Sequence, residues 1–409
     1  MTTKVYAFTY AGKPLFTNCA DGEDSLAFYG VLCAVVSKVS TLLSEYTEKD
    51  ELRYISAGDQ HFVYMERGPL CYFGISSNGA SPLAVYKILS NLHLQVLSIL
   101  TRGVEHVLLK RPSYDVQNLL GGTQSILHNL VANLDGSLGL FDTCCYEALP
   151  LPPTTRNTLR SYLTEFNTPN VLCSFMVVSN RVAVITMSKN ATFSPSDIAI
   201  VVNMVSTSHS LRQQESWTPL CLPDFNDQAF TYAYVNYIDS DIGIVCISST
   251  GDQDQFHKIS GQFGVLTKKM TDSGSLGDLR TSLVATPLEF PSTGGKTCSI
   301  LHVLYYSKRL GQYFSSAFRP TAFGTDSNTI VSAYKSVSEF LFSNEPNRTA
   351  MARFECFNVY VDHNPEFSLY LSTEPWTTIT SELVSGVTSY VTKQYRFLFN
   401  TRVPHKASR

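Results

Sequence analysis

The order of strand and helix patterns repeats three times along the chain, and this repetition constrains the fold more than any single motif. A hairpin, a helix, further strands and a closing helix recur at intervals of about 130 residues, with little identity between the copies. Antiparallel strands and amphipathic helices in this order bury their apolar faces by packing sheet against helix. The pattern therefore predicts an α+β chain of three tandem units, each an antiparallel sheet flanked by helices.

The first unit shows the pattern most clearly. Two strands flank Gly12-Lys13-Pro14, whose turn residues favour a hairpin, and a long apolar helix is predicted to begin at Asp24 or Ser25. The turns Gly58-Asp59 and Arg67-Gly68-Pro69 then separate three strands of an antiparallel meander. Because the helix separates the second strand from the third, the sheet must contain a crossover, and we expect one of its edges to stay unpaired.

Interruptions of the pattern mark the predicted domain boundaries. Three prolines within residues 150–153 cannot continue a helix or a ladder, and residues 271–295 are polar and rich in glycine and serine. We predict a first domain at 1–148, a second at 149–275, a linker at 276–295 and a third domain at 296–409. In the third domain, residues 351–361 are expected to form one strand and Pro375 to open the terminal helix.

The charge content excludes some partners and favours others. Only 16% of the residues are charged, against the roughly 25% that is usual in soluble domains, while 44% are apolar. A net charge of −3 lacks the positive excess of a nucleic-acid-binding protein, so we expect no nucleic acid as a partner. A chain so poor in charge is expected to bury part of its surface against another protein.

No combination of residues supports catalysis, a metal ion or a cofactor. Gly294-Gly295-Lys296-Thr297 resembles the end of a phosphate-binding loop, but Phe290 stands where that motif requires its first glycine. Nothing in the sequence orients Cys144-Cys145 toward a histidine, and the histidines lack metal-ligand spacing. We therefore predict no catalytic residue, no metal site and no cofactor.

Membrane association is expected to be peripheral, because no uninterrupted apolar run reaches the roughly 18 residues that span a bilayer. The stretch from Lys393 to Arg409 carries five basic residues and no acid. An anionic phospholipid surface could bind it, and a solvated tail is the simpler explanation. The ten cysteines include no C-x-x-C pair, which favours buried thiols in a reducing cytosol.

The segment 215–226 is stiffened by prolines and carries Trp217, one of only two tryptophans. We expect it to connect a helix to a strand. Tryptophan is enriched at interface hot spots, so Trp217 is a candidate for a partner contact. Packing inside the chain under a loop is the alternative explanation.

Seven short motifs occur in the order in which one protein family carries them. They are Ala11-Gly12-Lys13-Pro14-Leu15-Phe16, Ala57-Gly58-Asp59, Arg67-Gly68-Pro69-Leu70, Lys110-Arg111-Pro112, Leu120-Gly121-Gly122-Thr123, Leu149-Pro150-Leu151-Pro152-Pro153 and Glu215-Ser216-Trp217-Thr218-Pro219. With them the chain resembles the Mon-one/SAND vacuolar fusion proteins, which are unrelated to the DNA-binding SAND domain. The motifs lie in the first 230 residues, and the resemblance beyond them depends on element order alone.

The resemblance implies three successive longin domains and a function in membrane trafficking. Family members pair with a second triple-longin protein, the calcium-caffeine-zinc-sensitivity protein. The pair is the guanine nucleotide exchange factor for the Rab-seven-type GTPase, and a Rab-five-type GTPase acts upstream as the expected recruiter. The implied roles are Rab conversion, fusion at late endosomes and vacuoles, and autophagy. The implied location is cytoplasmic and peripheral on those membranes.

Nucleotide exchange requires no covalent chemistry. A factor that binds the empty GTPase more tightly than the loaded one weakens nucleotide affinity by the same factor. We predict Rab contacts at the start of the first long helix, through Asp24, Ser25 and Tyr29, and at Trp217. An unpaired sheet edge or an apolar helix face of the first domain is expected to bind the partner subunit. A triple-longin scaffold or tether without exchange activity is the alternative.

Family members commonly carry a long polar N-terminal extension, whereas the first longin strand is predicted here at about Lys4. We therefore make no prediction of regulation through such an extension.

Overall fold

The computed structural model of the 409-residue chain describes residues 3–19, 24–44, 52–58, 60–76, 81–136, 145–166, 168–189, 191–283, 300–343 and 348–401. The chain divides into two compact units. The first unit contains Met1–Asp142 together with Asp227–Ala229, and the second unit contains Thr143–Asn226 together with Phe230–Arg409. The second unit therefore combines the predicted second and third domains.

Three sheets contain the strands of the described residues. The first sheet contains β1 (Lys4–Thr9), β2 (Pro14–Thr17), β3 (Tyr54–Ala57), β4 (Gln60–Arg67) and β5 (Leu70–Ser76). The second contains β7 (Val171–Val178), β8 (Arg181–Met187), β9 (Ser216–Leu222), β10 (Asp227–Tyr237) and β11 (Ile242–Ser248). The third contains β6 (Tyr146–Glu147), β12 (Ile300–Ser307), β13 (Gln312–Ser315), β14 (Thr349–Arg353), β15 (Asn358–His363) and β16 (Phe367–Thr373).

The three sheets share one strand order. The first is ordered β2-β1-β5-β4-β3, the second β8-β7-β11-β10-β9 and the third β13-β12-β16-β15-β14. Neighbouring strands within each of these orders are antiparallel. The short β6 extends the third sheet by pairing in parallel with β13. The repeated order confirms the predicted α+β fold of three antiparallel sheets flanked by helices.

The helices of the first unit are α1 (Asp24–Ser44), α2 (Pro82–Leu100), α3 (Gly103–Lys110), a short 3-10 helix (Gln117–Leu120) and α4 (Gln124–Gly136). Those around the second sheet are α5 (Pro153–Thr164), α6 (Pro195–Thr207), α7 (His209–Gln213), α8 (Pro223–Asn226), α9 (Gln253–Asp272) and α10 (Ser275–Leu283). Those around the third sheet are α11 (Ser327–Ser343), α12 (Ser381–Lys393) and α13 (Tyr395–Leu398).

Helices cover both faces of the first sheet. Alternate residues of β1 point to opposite faces, so Val5 and Ala7 enter the core that contains α2 and α4, while Tyr6 and Phe8 pack with Leu32 of α1. Helix α2 begins at an N-cap residue, because the Ser81 hydroxyl accepts a hydrogen bond from the Ala84 amide and a proline follows Ser81.

One described helix, α2, meets two simple criteria for a membrane span, although polar residues interrupt its apolar sequence. The helix Pro82–Leu100 is long and apolar enough to cross a bilayer by those two criteria alone. Most of its apolar stretch is buried inside the first unit, where Val85, Leu89 and Leu92 are wholly inaccessible. This burial is what the core helix of a folded domain shows, so length and composition are weak evidence for a span.

The predicted linker is partly structured. Helix α10 occupies its first residues, and Leu276 and Leu279 of that helix pack in the core of the second sheet. Although the segment is polar overall, Leu276 and Leu279 are three residues apart and therefore lie on one face of the helix. Residues 284–299, which include the rest of the linker and the glycine-rich stretch, lie outside the described residues.

Three element assignments were wrong. The segment 215–226 is not only a connection, since Ser216–Leu222 forms the edge strand β9 beside β10. Residues 351–361 form the ends of two strands, because a turn at Phe354–Phe357 separates β14 from β15. The terminal helix begins at Ser381 and not at Pro375, and the Thr380 hydroxyl caps it by accepting from the Leu383 amide.

Candidate functional site

Helix α1 of the first unit presents apolar side chains on two of its sides. Leu32 and Val36 are buried against the first sheet. Val31, Val35 and Leu42 are 59%, 40% and 52% exposed. Spacings of four and seven residues place these three on one side of a helix. We call Val31, Val35 and Leu42 the apolar stripe of α1.

Helical periodicity does not reveal the apolar stripe as a surface, because it places Leu32 and Val35 on one broad apolar face. The available signal was the composition of the helix, which is apolar on more sides than one sheet can cover. A helix that is apolar nearly all round is buried on more than one side. In this helix the sheet covers one apolar side, and Val31, Val35 and Leu42 stay exposed on another.

Strand β3 forms one edge of the first sheet. All four of its residues are exposed, with Tyr54 at 54% and Ile55 at 38%. Its inner side pairs with β4, and its outer side pairs with no strand among the described residues. An edge that combines unpaired main-chain groups with exposed aromatic and aliphatic side chains can accept a strand or a side-chain surface from another protein.

The predicted Rab contacts lie in different units. Asp24, Ser25 and Tyr29 belong to the first turns of α1, and their side chains lie outside the described residues. Trp217 belongs to β9 of the second unit, so it is described separately from α1. All four contacts stay predictions.

The half-buried Trp217 packs inside the second unit. Its ring stacks on Tyr232 with 5.9 Å between centroids, and it lies 6.1 Å from the ring of Phe256. The indole Nε1–H donates to the carbonyl oxygen of Gly251 at 3.3 Å. These contacts account for a tryptophan at this position without an external partner.

The family motifs of the first unit form turns and strand ends. Gly12, Gly58, Gly68 and Gly122 all have positive φ, between +57° and +82°. At Gly68 this conformation closes the turn between β4 and β5, where a side chain would be strained. Lys13 and Pro14 end the β1–β2 turn, and Pro69 accepts a hydrogen bond from Tyr10 through its carbonyl.

The remaining motif residues have equally structural surroundings. Arg67 donates to the Tyr86 hydroxyl at 2.8 Å. Gly121 ends the 3-10 helix that precedes α4. Pro219 lies in β9, where an edge strand tolerates a residue without an amide proton. Asp59 lies outside the described residues.

Several ionisable groups have shifted pKa values, and they belong to separate cores. Burial lowers the pKa of His93 to about 4, and this ring meets the Tyr72 hydroxyl at 3.1 Å. Burial also lowers the pKa of His302 to about 3, between the hydroxyls of Tyr334 and Ser315. Such neutral histidines bonded to hydroxyls are typical of a packed interior.

Glu147 of β6 has a pKa raised to about 7, mainly by burial, which the charge of Arg181 and the Tyr313 hydroxyl oppose. In the described part of the chain, no three His, Cys, Asp or Glu side chains lie close enough together to hold a metal ion. The surfaces that stand out on the first unit are therefore apolar and suited to protein contacts.

Two family models match the chain. The model described as the first Longin domain of FUZ, MON1 and HPS1 matches residues 3–130, and the model described as the second Longin domain of the same proteins matches residues 169–261. The first range contains the complete first sheet, and the second contains the complete second sheet. The third sheet lies outside these two matched ranges and has the same strand order.

Similar proteins occur in animals and plants. The chain is 26% identical over 379 residues to "Protein SAND" of Takifugu rubripes, covering 91% of this chain and 70% of that protein. It is 26% identical over 400 residues to the "Vacuolar fusion protein MON1 homolog" of Arabidopsis thaliana, covering 90% and 64%. The "Vacuolar fusion protein MON1 homolog A" of Homo sapiens is 27% identical over 314 residues, covering 76% and 46%.

This chain therefore spans between about half and 70% of the length of those relatives. The two longin models together match more than half of the chain, in the order in which the relatives carry these domains. The relatives named SAND and MON1 align across most of it. The chain belongs to the MON1/SAND family of longin-domain proteins.

Proposed function

We propose that this chain is one subunit of a heterodimeric guanine nucleotide exchange factor for a Rab-seven-type GTPase. Through that activity it promotes endosome maturation, fusion at the late endosome or vacuole, and autophagy. The relatives called vacuolar fusion proteins support the trafficking role. The observation that carries the proposal is the apolar stripe of α1 in the first longin domain.

The stripe supports a protein contact for an energetic reason. Three aliphatic side chains on one helix side are 40–59% exposed, and removing their apolar surface from water would be favourable in free energy. Leu32 and Val36 already hold α1 on its sheet, so the stripe is not needed to attach the helix. A GTPase that covers it gains apolar contact without unfolding any part of the domain.

The edge strand β3 supports the heterodimer. We propose that the calcium-caffeine-zinc-sensitivity protein, a second triple-longin chain, binds this edge of the first unit. The exposed Tyr54 and Ile55 would supply side-chain contacts, and the outer main-chain groups of β3 would pair with a strand of the partner. A Rab-five-type GTPase would recruit the pair, which would act peripherally on the late endosomal or vacuolar membrane.

Exchange would follow from binding alone. The heterodimer would hold switch I of the GTPase where it cannot complete the Mg²⁺ and phosphate site. Because linkage is reciprocal, tighter binding of the empty GTPase lowers nucleotide affinity by an equal factor. The chain would contribute shape and apolar contact to this complex and no reacting group.

The test measures release of a fluorescent GDP analogue from the Rab-seven-type GTPase with this chain alone, the partner alone and the heterodimer. We expect acceleration with the heterodimer only. Val35→Asp and Leu42→Asp in the stripe should slow that release by tenfold or more, on the order expected for central interface residues. No acceleration by a verified heterodimer would refute the proposal.

Val265→Asp is the matched control. Val265 is 53% exposed on α9 of the second unit, close to the 52% of Leu42, so it offers a similarly exposed aliphatic residue on a different helix. We expect this variant to keep wild-type release rates. Co-purification of the partner distinguishes the two uses of the first domain, because stripe variants should retain the partner whereas Ile55→Asp on β3 should lose it.

A trafficking scaffold without exchange activity is the second candidate. The matching models describe domains that FUZ, MON1 and HPS1 share, so the domains by themselves do not specify exchange. A scaffold would bind the nucleotide-loaded GTPase at least as tightly as the empty form. Affinities for the two forms, measured with the same heterodimer, separate the candidates.

A further inference from the structure

A polar cavity of about 790 Å³ lies inside the second unit. Its walls come from the start of α5, from the β12–β13 turn, and from the end of α12 with α13. The basic residues of its lining are Arg156, Arg160, Arg309, Lys393 and Arg396, and its described lining contains no acidic residue. This volume is within the range of small-molecule sites, and the five positive charges select an anion.

Arg156 supplies the strongest reason to expect a ligand, because its charge is buried and forms no ion pair with any residue that the structure describes. The side chain is 2% exposed, and its guanidinium donates to the main-chain carbonyls of Leu149, Ala183, Arg396 and Phe399. None of these acceptors carries a negative charge. Buried charges in proteins are generally paired, so a cation in this environment favours an anion nearby.

The second basic group of the inner wall strengthens this expectation. Burial lowers the pKa of Arg156 to about 9, and the neighbouring positive charge of Arg160 contributes to the same shift. Two guanidinium groups close enough to disfavour each other's charge would be stabilised together by one anion between or beside them. Arg160 also donates to Asn157 at 3.0 Å, which orients its guanidinium.

The cavity mouth adds three flexible cations. Arg309, Lys393 and Arg396 are exposed side chains, and none forms an ion pair with another described residue. At the same mouth, α5 begins at Pro153 after Pro152, so its positive N-terminal end lacks a capping side chain. Helix N-termini of this kind favour phosphate groups.

We propose that this cavity binds a small ligand carrying several phosphate groups. The ligand would contact α5 beside the second sheet, and the β12–β13 turn and α12 beside the third. It would therefore hold the second and third longin-like domains together, as a structural cofactor of the second unit. This inference goes beyond the proposed exchange activity and is tested without a GTPase.

The test uses the full chain and inositol hexakisphosphate as the probe, with inorganic phosphate as a weaker one. Calorimetry should show one binding site, and the probe should raise the melting temperature. Arg309→Gln combined with Arg396→Gln should weaken binding roughly a hundredfold, about tenfold for each lost charged hydrogen-bonding group. Because both side chains are exposed, the double variant should melt like the wild type when no ligand is present.

The matched control is Lys268→Gln combined with Arg353→Gln. Both residues are exposed and lie outside the cavity. Their replacement removes two positive charges, as the replacement of Arg309 and Arg396 does. We expect this variant to bind the probe as tightly as the wild type does. Equal weakening by the two double variants would mean non-specific attraction and would overturn the proposal, as would the absence of binding.

Phosphatidylcholine vesicles with and without a phosphoinositide identify the source of the phosphate groups. Binding to soluble inositol hexakisphosphate that depends on Arg309 and Arg396 supports a free ligand. Binding only to phosphoinositide vesicles, with the same dependence, supports a lipid headgroup in the same cavity. Vesicle binding that both double variants retain would assign lipid binding to another surface and refute the cavity as its site.

Discussion

Replacing Arg156 should destabilise the second unit more than replacing any exposed arginine. Arg156→Met keeps an apolar stem of similar length and removes every donor of the guanidinium. The carbonyl oxygens of Leu149, Ala183, Arg396 and Phe399 would then lose their partner in a place that water reaches poorly. These acceptors come from segments far apart in the chain, so the loss affects the packing of the whole unit.

The magnitude follows from four lost hydrogen bonds. At about 1 kcal/mol for each carbonyl left without a partner, Arg156→Met should lower the free energy of unfolding by about 4 kcal/mol. For a unit of this size that corresponds to a fall in melting temperature of about 10 °C. Arg156→Lys should lose about half as much, because an ammonium group keeps the charge and reaches fewer of the four acceptors.

Urea unfolding and hydrogen exchange provide the assay. Exchange should accelerate in residues 181–184 and 395–400 of Arg156→Met, which contain three of the four acceptors. Arg353→Met, at an exposed position in β14, is the control and should change the unfolding free energy by less than about 0.5 kcal/mol. A loss below about 1 kcal/mol in Arg156→Met would refute the assigned role.

Three further outcomes are expected. The pKa of His302 is about 3 in the folded protein against an ordinary value of 6.5, so the unfolded chain binds this proton at a higher pH than the folded chain does. Between pH 6.5 and pH 5, His302 should therefore lower the free energy of unfolding by about 2 kcal/mol, measured by urea unfolding. His302→Gln should lack this component. Gly311→Ala should lower the melting temperature more than Gly324→Ala does. Both glycines have positive φ, but only at Gly311 would the new Cβ collide with a neighbour, since it would lie 2.0 Å from the ring of the proline that begins α6. Gly74→Ala should cost about 1–3 kcal/mol in the same assay, because its Cβ would lie 2.3 Å from Val85.

The sequence predicted well those elements whose ends carry turn or cap residues. Gly12 and Gly68 close tight turns with positive φ, and Ser81 and Ser194 precede helices that begin with proline. Such signals are local, because one side chain or one backbone conformation fixes the boundary. The order of elements along the three units followed from these boundaries, whereas the order of strands within each sheet comes from the structure alone.

The missed elements depend on contacts that a local pattern does not contain. Pro219 made β9 resemble a connection, although an edge strand has one side on which no amide proton is needed. The turn between β14 and β15 contains neither glycine nor proline, and the stacked rings of Phe354 and Phe357 lie across it. The loop before α12 is held by Asn358, whose amide donates to three carbonyls from residues 374–377.

The candidate surface could be predicted only in part. The sequence predicted the first long helix, but it did not predict which of the apolar residues on that helix face the sheet. Periodicity alone cannot divide an apolar helix between two neighbours, because Val35 and Val36 satisfy the pattern equally well. The basic cavity was also beyond the sequence, since its residues come from α5, the β12–β13 turn and the end of α12, which are separated by about 150 and about 80 positions along the chain.

The parallel strand β6 has a consequence for how the protein is made. Tyr146 and Glu147 leave the ribosome early, but their partners Gln312 and Tyr313 follow 166 residues later. At ordinary elongation rates the delay is on the order of ten to thirty seconds. During that interval the second sheet can form while the pairing between β6 and β13 is still missing. The five strands of the first sheet, in contrast, are all synthesised by residue 76. The nascent chain can therefore contain a complete first sheet while β6 is not yet paired with β13.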